Sequence, residues 1–170
     1  FLVDSPQDAF SADIVIKITP PTLDEINCMN DHATIFSMLQ LSNLSTESIK
    51  AMMSKKLNAI AYELIRDEQK GFPVVSSISE IEGNTAITLI AELMSNEHGG
   101  KGLLLGSVAG ISPPEVVILG ASITGTVAAR TALALGAQVK IFDHDINKLR
   151  TIQHHLGQQV FTSVIHPAVL

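Results

Sequence analysis

The 170-residue sequence predicts an α/β protein built on parallel sheets. Short apolar runs alternate with amphipathic segments of helical length in the first half, as in parallel α/β proteins. A β-branched run at 115–119 leads directly into a hexapeptide bounded by glycines and then into an alanine-rich segment. No apolar run approaches the roughly 18 residues that a membrane-spanning helix needs. We therefore interpret these runs as buried strands and expect no membrane partner.

Residues 1–75 predict three strands separated by helices. Ser5 and Pro6 are an N-cap and a first helical residue for a short helix that ends near Ala12. Thr22 can cap a second helix, whose first turn carries acidic side chains favoured by the helix dipole. Gly-Phe-Pro at 71–73 then breaks the pattern. The predicted strands are 13–18, 33–39 and 59–63, and a third helix is predicted at 46–56.

A long helix is predicted at 80–94, and we expect it to cross between two domains. A glycine-rich passage follows at 99–110 and ends at Pro113 and Pro114. Loops of this length inside a compact protein are usually functional or form an interface. The same pattern of strands and helices resumes after the two prolines.

The segment Gly120-Ala-Ser-Ile-Thr-Gly125 is typical of the phosphate loop of a Rossmann dinucleotide-binding domain. Gly120 allows a tight turn after strand 115–119, and Gly125 lets the following helix, 126–135, pack closely on that strand. Free amides at the start of the helix would face a pyrophosphate. The alternative interpretation is an ordinary tight turn in a doubly wound sheet.

Asp143 closes the next predicted strand, 138–142, and lies 18 residues after Gly125. This is close to the spacing expected of the acidic residue that binds a ribose. A carboxylate there accepts hydrogen bonds from ribose hydroxyls and repels a 2′-phosphate, which favours NAD over NADP. A third strand is predicted near 160–162.

Ser122 departs from the pattern, because it stands where dinucleotide loops have their middle glycine. Its Cβ and hydroxyl would occupy space near the pyrophosphate. Two outcomes are open from the sequence: the loop shifts and uses the hydroxyl as a donor, or the affinity for the dinucleotide falls.

Composition excludes several classes of function. The net charge is −6, with no basic cluster, one tyrosine and no tryptophan, so we expect no nucleic-acid partner. Cys28 is the single cysteine and cannot form an intrachain disulfide, which fits a reducing cytoplasm. The 46% hydrophobic content indicates burial against partner subunits or further chain. We expect no metal site. The adjacent His154 and His155 would point about 100° apart on a helix. The other histidines have no carboxylate or cysteine partner at metal spacing, namely His32, His98, His144 and His166.

Six stretches of the chain form a recognisable series: ADIVIKI at 12–18, AIAYE at 59–63, SEIEG at 79–83, GGKGLLLGSVAG at 99–110, PPEVVILG at 113–120, and FDHDINKLR at 142–150. They resemble the alanine dehydrogenase family and occur in family order. This superfamily also contains the NAD-binding domain of proton-translocating nicotinamide nucleotide transhydrogenase. The resemblance implies a flavodoxin-like α/β substrate domain followed by an incomplete, Rossmann-like doubly wound parallel sheet.

The resemblance implies a fragment that lacks both termini of the family. Residues 1–75 would be part of the substrate domain, 76–114 an interdomain helix with its glycine-rich connection, and 115–170 the first half of the NAD-binding domain. The implied parent is a cytoplasmic homo-oligomer that interconverts L-alanine and pyruvate with NAD. The cofactor-binding residues would be Ser79, Gly120, Ser122, Ile123, Thr124, Gly125, Asp143 and Lys148.

Two catalytic positions of the family differ here. The lysine that holds the substrate carboxylate is replaced by Thr19, and the acid/base histidine is replaced by Gln40. Threonine carries no charge, and glutamine exchanges no proton at neutral pH. Lys17 would share a face with Thr19 if the strand continued to Pro20. It is either a substitute for the missing lysine or a solvated lysine at the strand end.

The sequence and the resemblance leave three candidate functions. The first is an alanine-dehydrogenase-like oxidoreductase, of which this fragment would be inactive alone. The second is the NAD-binding module of a transhydrogenase, which needs no amino-acid site and so accommodates Thr19 and Gln40. The third is a non-catalytic NAD-binding or oligomerisation relative, favoured by those two positions together with Ser122.

Overall fold

The computed structural model describes residues 2–69 and 71–165, and these form two compact units that divide between Val75 and Ser76. Each unit contains one three-stranded parallel sheet with helices packed on it. The predicted α/β class with Rossmann-like parallel sheets is therefore confirmed. The expectation for His166 lies outside the described residues.

The first unit has strand order β1-β2-β3, with every pair parallel. Its strands pair in register through Val15, Ile35 and Ala59. Val15 and Ile35 form a small core with Met29 and Ala33. A 3-10 turn at Tyr62–Leu64 follows the last strand. The elements are α1 (Pro6–Phe10), β1 (Ile14–Ile16), α2 (Leu23–Cys28), β2 (Thr34–Ser37), α3 (Thr46–Ser54) and β3 (Asn58–Ala61).

The second unit has strand order β4-β5-β6, again parallel. Consecutive strands lie side by side, as in the first half of a Rossmann sheet. Its core includes Ala129, Ala132 and Ile141, which are fully buried, and Ile87 from the long helix. The elements are α4 (Pro73–Leu93), β4 (Glu115–Leu119), α5 (Ile123–Leu135), β5 (Gln138–Asp143), α6 (Ile146–Leu156) and β6 (Phe161–Val164).

Helix α4 begins at Pro73, seven residues before the predicted start at 80. Proline is favoured at the first helical position, because its missing N–H would have no intrahelical acceptor there. Gly-Phe-Pro therefore marks the beginning of the helix rather than only a break. Ser79 consequently lies in the second turn of α4, not at its start.

The glycine-rich passage 99–110 contains no helix or strand, as predicted, although Val108 pairs with Ile111 in an isolated bridge. Leu105 is the buried residue that fixes this passage to the core of the second unit. Among the helices in 2–69 and 71–165, none combines the length and the apolar character needed to cross a bilayer.

Candidate functional site

Two glycines allow the loop after β4 to pack backbone against backbone. Gly120 has φ of 111°, a conformation that L side chains rarely adopt, and its N–H donates to the Phe142 carbonyl at 2.7 Å. A Cβ on Gly125 would lie 2.0 Å from the Gly120 carbonyl oxygen. The two glycines therefore bring α5 against the end of β4, as the sequence predicts.

Ser122 is the N-cap of α5, which begins at Ile123 rather than at the predicted residue 126. Its φ of −77° and ψ of −177° are extended backbone that any residue adopts. The hydroxyl oxygen accepts from the Gly125 N–H at 3.3 Å, and the carbonyl accepts from Thr126 at 2.9 Å. The Ser122 oxygen therefore helps to start the helix, and the effect of this serine on dinucleotide affinity stays a prediction.

The start of α5 presents free backbone donors. The N–H groups of Ser122, Ile123 and Thr124 have no hydrogen-bond partner within the described parts of the chain. Such orphan amides and the positive end of the helix dipole attract anions. The amide of Gly125 is satisfied by Ser122, so the open donors are three consecutive residues. This arrangement suits a phosphate group.

The carboxylate of Asp143 is buried, with only 3% of the residue exposed. One oxygen accepts from the Asp145 N–H at 2.8 Å, and the other accepts from the Ala121 N–H at 2.7 Å. These two backbone donors, Asp145 first and Ala121 second, hold the pKa of the Asp143 carboxyl below its usual value. Asp143 thus fixes the loop after β4, and its contact with a ribose stays a prediction.

Three other predicted residues lie on helices α4, α5 and α6. Lys148 is exposed on α6, and its charge helps to lower the pKa of Asp143 after the backbone donors. Thr124 is half-buried, and its hydroxyl donates to Glu82 Oε2 at 3.4 Å. Ser79 is half-buried on α4. The structure brings together the six residues of the loop and its anchor: Gly120, Ser122, Ile123, Thr124, Gly125 and Asp143.

Glu82 is a residue near this site that the sequence reasoning missed. It lies on α4, 42 residues before the threonine it contacts, and no local pattern indicates such a pairing. Ser122 as an N-cap carried a detectable signal, since serine immediately before a helical segment is a preferred cap.

The catalytic positions of the resemblance lie at the carboxyl ends of the strands of the first unit. Thr19 is exposed, and its carbonyl accepts from the Ser37 hydroxyl at 2.9 Å. Gln40 is exposed and has φ of 45°, which is left-handed. The Glu63 carboxylate accepts from the N–H groups of Leu39 at 3.2 Å and Gln40 at 2.8 Å. Glu63 is a second contact that the sequence did not reveal.

Lys17 is partly exposed and has a charged partner. Its ammonium forms an ion pair with Glu25, and it lies 5.7 Å from the ring centroid of Phe10. Burial acts to raise the pKa of Glu25, but the hydrogen bonds from Lys17 and Thr22 lower it overall. Glu25 also closes a capping box with Thr22 at the start of α2. Lys17 is therefore an ion-paired lysine just after the end of β1, with 18% of its side chain exposed.

Among the residues described, 2–69 and 71–165, no three side chains of His, Cys, Asp or Glu are grouped so that they could hold a metal ion. His154 and His155 are consecutive in α6, which separates their directions by about 100° around the helix.

Comparison with protein families matches nearly the whole chain. The family model for the N-terminal domain of alanine dehydrogenase/PNT matches residues 1–82. The model for the C-terminal domain of alanine dehydrogenase/PNT matches residues 86–168. The two matches follow one another in the order of the resemblance drawn from the sequence.

Individual proteins give the same result. An alanine dehydrogenase of Methanococcus maripaludis is 36% identical over 152 residues, which are 89% of this chain and 40% of that protein. A solved L-alanine dehydrogenase is 34% identical with a TM-score of 0.81, covering 98% of this chain and 46% of its own. A transhydrogenase from Sinorhizobium meliloti, 23% identical with a TM-score of 0.73, shares the fold over 98% of this chain and 46% of its own. The chain thus spans less than half the length of these relatives.

Proposed function

Because the chain belongs to the alanine dehydrogenase/PNT family, we propose that it carries the NAD-binding loop of an alanine dehydrogenase. The reaction proposed for the whole protein converts L-alanine, NAD and water into pyruvate, ammonia and NADH. One observation carries the proposal, namely three free backbone N–H groups at the start of α5 beside two closely packed glycines. That arrangement would accept a pyrophosphate and leaves no room for a side chain at Gly125.

The residues present fit a dinucleotide. Ser122, Ile123 and Thr124 would bind the pyrophosphate through their backbone N–H groups, which have no other partner among the described residues. Gly120 and Gly125 keep the loop close to the strand. When bound, NAD supplies the acceptor for the hydride from the Cα atom of the amino acid.

The ribose end of the cofactor would be recognised by Asp143, with Lys148 beside it. A carboxylate offers about four acceptor positions, and two of those on Asp143 are taken by backbone donors. The negative charge retained by its lowered pKa would repel a 2′-phosphate. We therefore propose NAD rather than NADP, with Ser79 of α4 as a further contact.

The substrate side of the reaction is not supplied by the family's usual residues. Thr19 offers no charge for a substrate carboxylate, and Gln40 has no proton to exchange near neutral pH. The ammonium of Lys17 is already paired with Glu25. We propose that this chain alone is inactive and that the whole protein provides the remaining groups from other segments.

We further propose a cytoplasmic homo-oligomer that acts on a small-molecule substrate, L-alanine or pyruvate. Several apolar side chains on the sheets are exposed, among them Ile16 at 79% and Leu119 at 66%. Apolar area of this kind is normally buried against another protein surface or further chain.

Calorimetric titration of NAD and NADH into the full-length protein tests the cofactor proposal. We expect saturable binding of both, and absence of binding would overturn it. Oxidation of NADH in the presence of pyruvate and ammonia then tests the reaction. Turnover with both substrates, and none when ammonia is omitted, is the expected result.

Thr19 and Gln40 also support a second candidate, the NAD-binding module of a transhydrogenase, which needs no amino-acid site. That candidate predicts hydride exchange between NADH and an NADP analogue without pyruvate or ammonia. A non-catalytic relative, which these positions support equally, would bind NAD and show neither reaction, or would not bind it at all.

A further inference from the structure

Helices α4 and α5 touch at Gly83 with almost no side chain between them. A Cβ on Gly83 would lie 2.6 Å from the Thr124 carbonyl oxygen and 2.8 Å from the Val127 Cβ. The residues on either side of Gly83 both reach across this contact. Asn84 Oδ1 accepts from the Thr131 hydroxyl at 2.7 Å, and Glu82 Oε2 accepts from the Thr124 hydroxyl at 3.4 Å. The helix crossing thus fixes Glu82 beside the first turn of α5.

The position of Glu82 has an electrostatic consequence. The first turn of α5 contains no acidic residue of its own, and it presents the free N–H groups of Ser122, Ile123 and Thr124. Within the described parts of the chain, no lysine, arginine or histidine forms an ion pair with Glu82. The Glu82 carboxylate is therefore a negative charge without an ion-pair partner among the described residues, placed at the positive end of the helix.

We propose that Glu82 opposes the pyrophosphate of the dinucleotide and sets a weaker affinity for it than the loop alone would give. This inference rests on the proposed NAD-binding function of the loop. Two anions that share one helix N-terminus repel each other, and this repulsion acts on the bound state only. Affinity differences between variants of one site are expressed mostly in dissociation rates, so Glu82 would also speed release of the cofactor.

The test is a charge series at this one position in the full-length protein. Glu82→Gln keeps an oxygen that accepts from the Thr124 hydroxyl and removes the charge, and Glu82→Lys reverses the charge. We expect NAD to bind about fivefold more tightly to Glu82→Gln and more tightly again to Glu82→Lys, the scale of one charge interaction across a few ångströms of solvated surface. The gain should shrink as the salt concentration rises.

The matched control is Glu92→Gln, which removes a charge from the same helix near His98, away from the loop. NAD affinity should not change in this variant, and an equal gain there would show a general charge effect and overturn the inference. If the Glu82→Lys variant does not fold, Glu82→Gln is compared with Glu82→Asp, which retains the charge. Of these two variants, only Glu82→Gln should bind NAD more tightly than the wild type.

The probes separate the pyrophosphate from the rest of the cofactor. ADP should follow the same series as NAD, while adenosine, which has no phosphate, should bind all variants alike. An equal gain in affinity for adenosine would mean that Glu82 acts through the shape of the loop rather than through its charge. That result would overturn the proposal. NAD binding that is equal in wild type and Glu82→Gln contradicts this inference alone. Absence of NAD binding in every variant overturns the NAD-binding function and this inference with it.

Discussion

The Asp143 carboxylate accepts a hydrogen bond at 2.7 Å from the N–H of Ala121, which lies in the loop after the neighbouring strand. Its other oxygen accepts from the N–H of Asp145 at the start of α6. One buried carboxylate therefore ties together the end of β5, the phosphate loop and the following helix. The acidic residue expected to recognise a ribose is first of all the anchor of the loop.

Asp143→Asn is expected to destabilise the protein. An asparagine side chain has one acceptor oxygen, and its NH₂ group would face one of the two backbone donors. Leaving a buried N–H without a partner costs about 1–3 kcal/mol. Urea denaturation at pH 7 measures this loss, and Asp31→Asn, at an exposed carboxylate, is the matched control. Equal stabilities of the two variants would contradict the anchoring role.

The contribution of Asp143 should also depend on pH in a defined direction. Its pKa is lowered in the folded protein, so its stabilising effect is complete above the unfolded pKa of about 3.9. The effect is lost as the pH falls below that value and through the lowered folded pKa. The difference in unfolding free energy between wild type and Asp143→Asn should therefore narrow in acid. A difference that stays constant down to pH 2–3 would argue against this assignment.

Gly125→Ala should disrupt the phosphate loop. The new Cβ would lie 2.0 Å from the Gly120 carbonyl oxygen, so α5 must move away from β4. Overpacking of this kind typically costs about 1–3 kcal/mol, and a shifted helix start would also weaken binding of NAD. Gly106→Ala is the control, because its Cβ would meet ordinary contacts at 3.4 Å. Thermal unfolding should show a lower stability, and NAD titration a weaker affinity, for Gly125→Ala than for Gly106→Ala.

Ser122 variants distinguish two roles of this serine, which are capping of helix α5 and obstruction of the pyrophosphate. As an N-cap, Ser122→Ala should lose roughly 1 kcal/mol of stability and Ser122→Gly only a few tenths. If the serine obstructed the pyrophosphate instead, Ser122→Gly would increase NAD affinity strongly at little cost in stability. We expect the NAD affinity of Ser122→Gly to differ from that of the wild type by less than a factor of about three, which corresponds to less than 1 kcal/mol. Calorimetry and chemical denaturation on the same samples decide between these outcomes.

The sequence predicts the two sheets because its signals are local. Alternating apolar runs and a glycine-bounded loop depend on residues a few positions apart, and the structure has the corresponding strands. The start of α4 differs from the predicted residue 80, because Pro73 signals both the end of one segment and the first residue of a helix. Ser122 departs from the glycine of the motif, and in the structure it is the N-cap of α5.

Two contacts near the candidate sites join residues that are far apart in the sequence, and no local sequence pattern indicates them. Glu63 reaches Gln40 from 23 residues away, and Glu82 reaches Thr124 from 42 residues away. Each depends on how strand ends or helices are brought together by packing of the core. Glutamates at such positions are indistinguishable from solvated surface charges in the sequence alone.

Gln40 has an unfavourable backbone conformation, and Glu63 accepts from its N–H. Gln40 has φ of 45°, and the left-handed conformation costs a non-glycine residue about 1–2 kcal/mol. Gln40→Gly and Gln40→Ala remove the same polar groups, but only the glycine variant also removes the Cβ. Gln40→Gly should therefore be about 1 kcal/mol more stable than Gln40→Ala, as measured by chemical denaturation of the full-length protein. Equal stabilities would mean that the Cβ is not strained there.

Glu63 holds this conformation with two hydrogen bonds from consecutive backbone amides. Glu63→Ala should cost about 1.5–3 kcal/mol, as expected for hydrogen bonds to a charged group. The loss should be smaller in the Gln40→Gly background, because glycine adopts the left-handed conformation without being held there. A double-mutant cycle measures this coupling, for which we expect at least about 0.5 kcal/mol. Strict additivity of the two substitutions would show that Glu63 only caps the chain and does not stabilise the unfavourable backbone of Gln40.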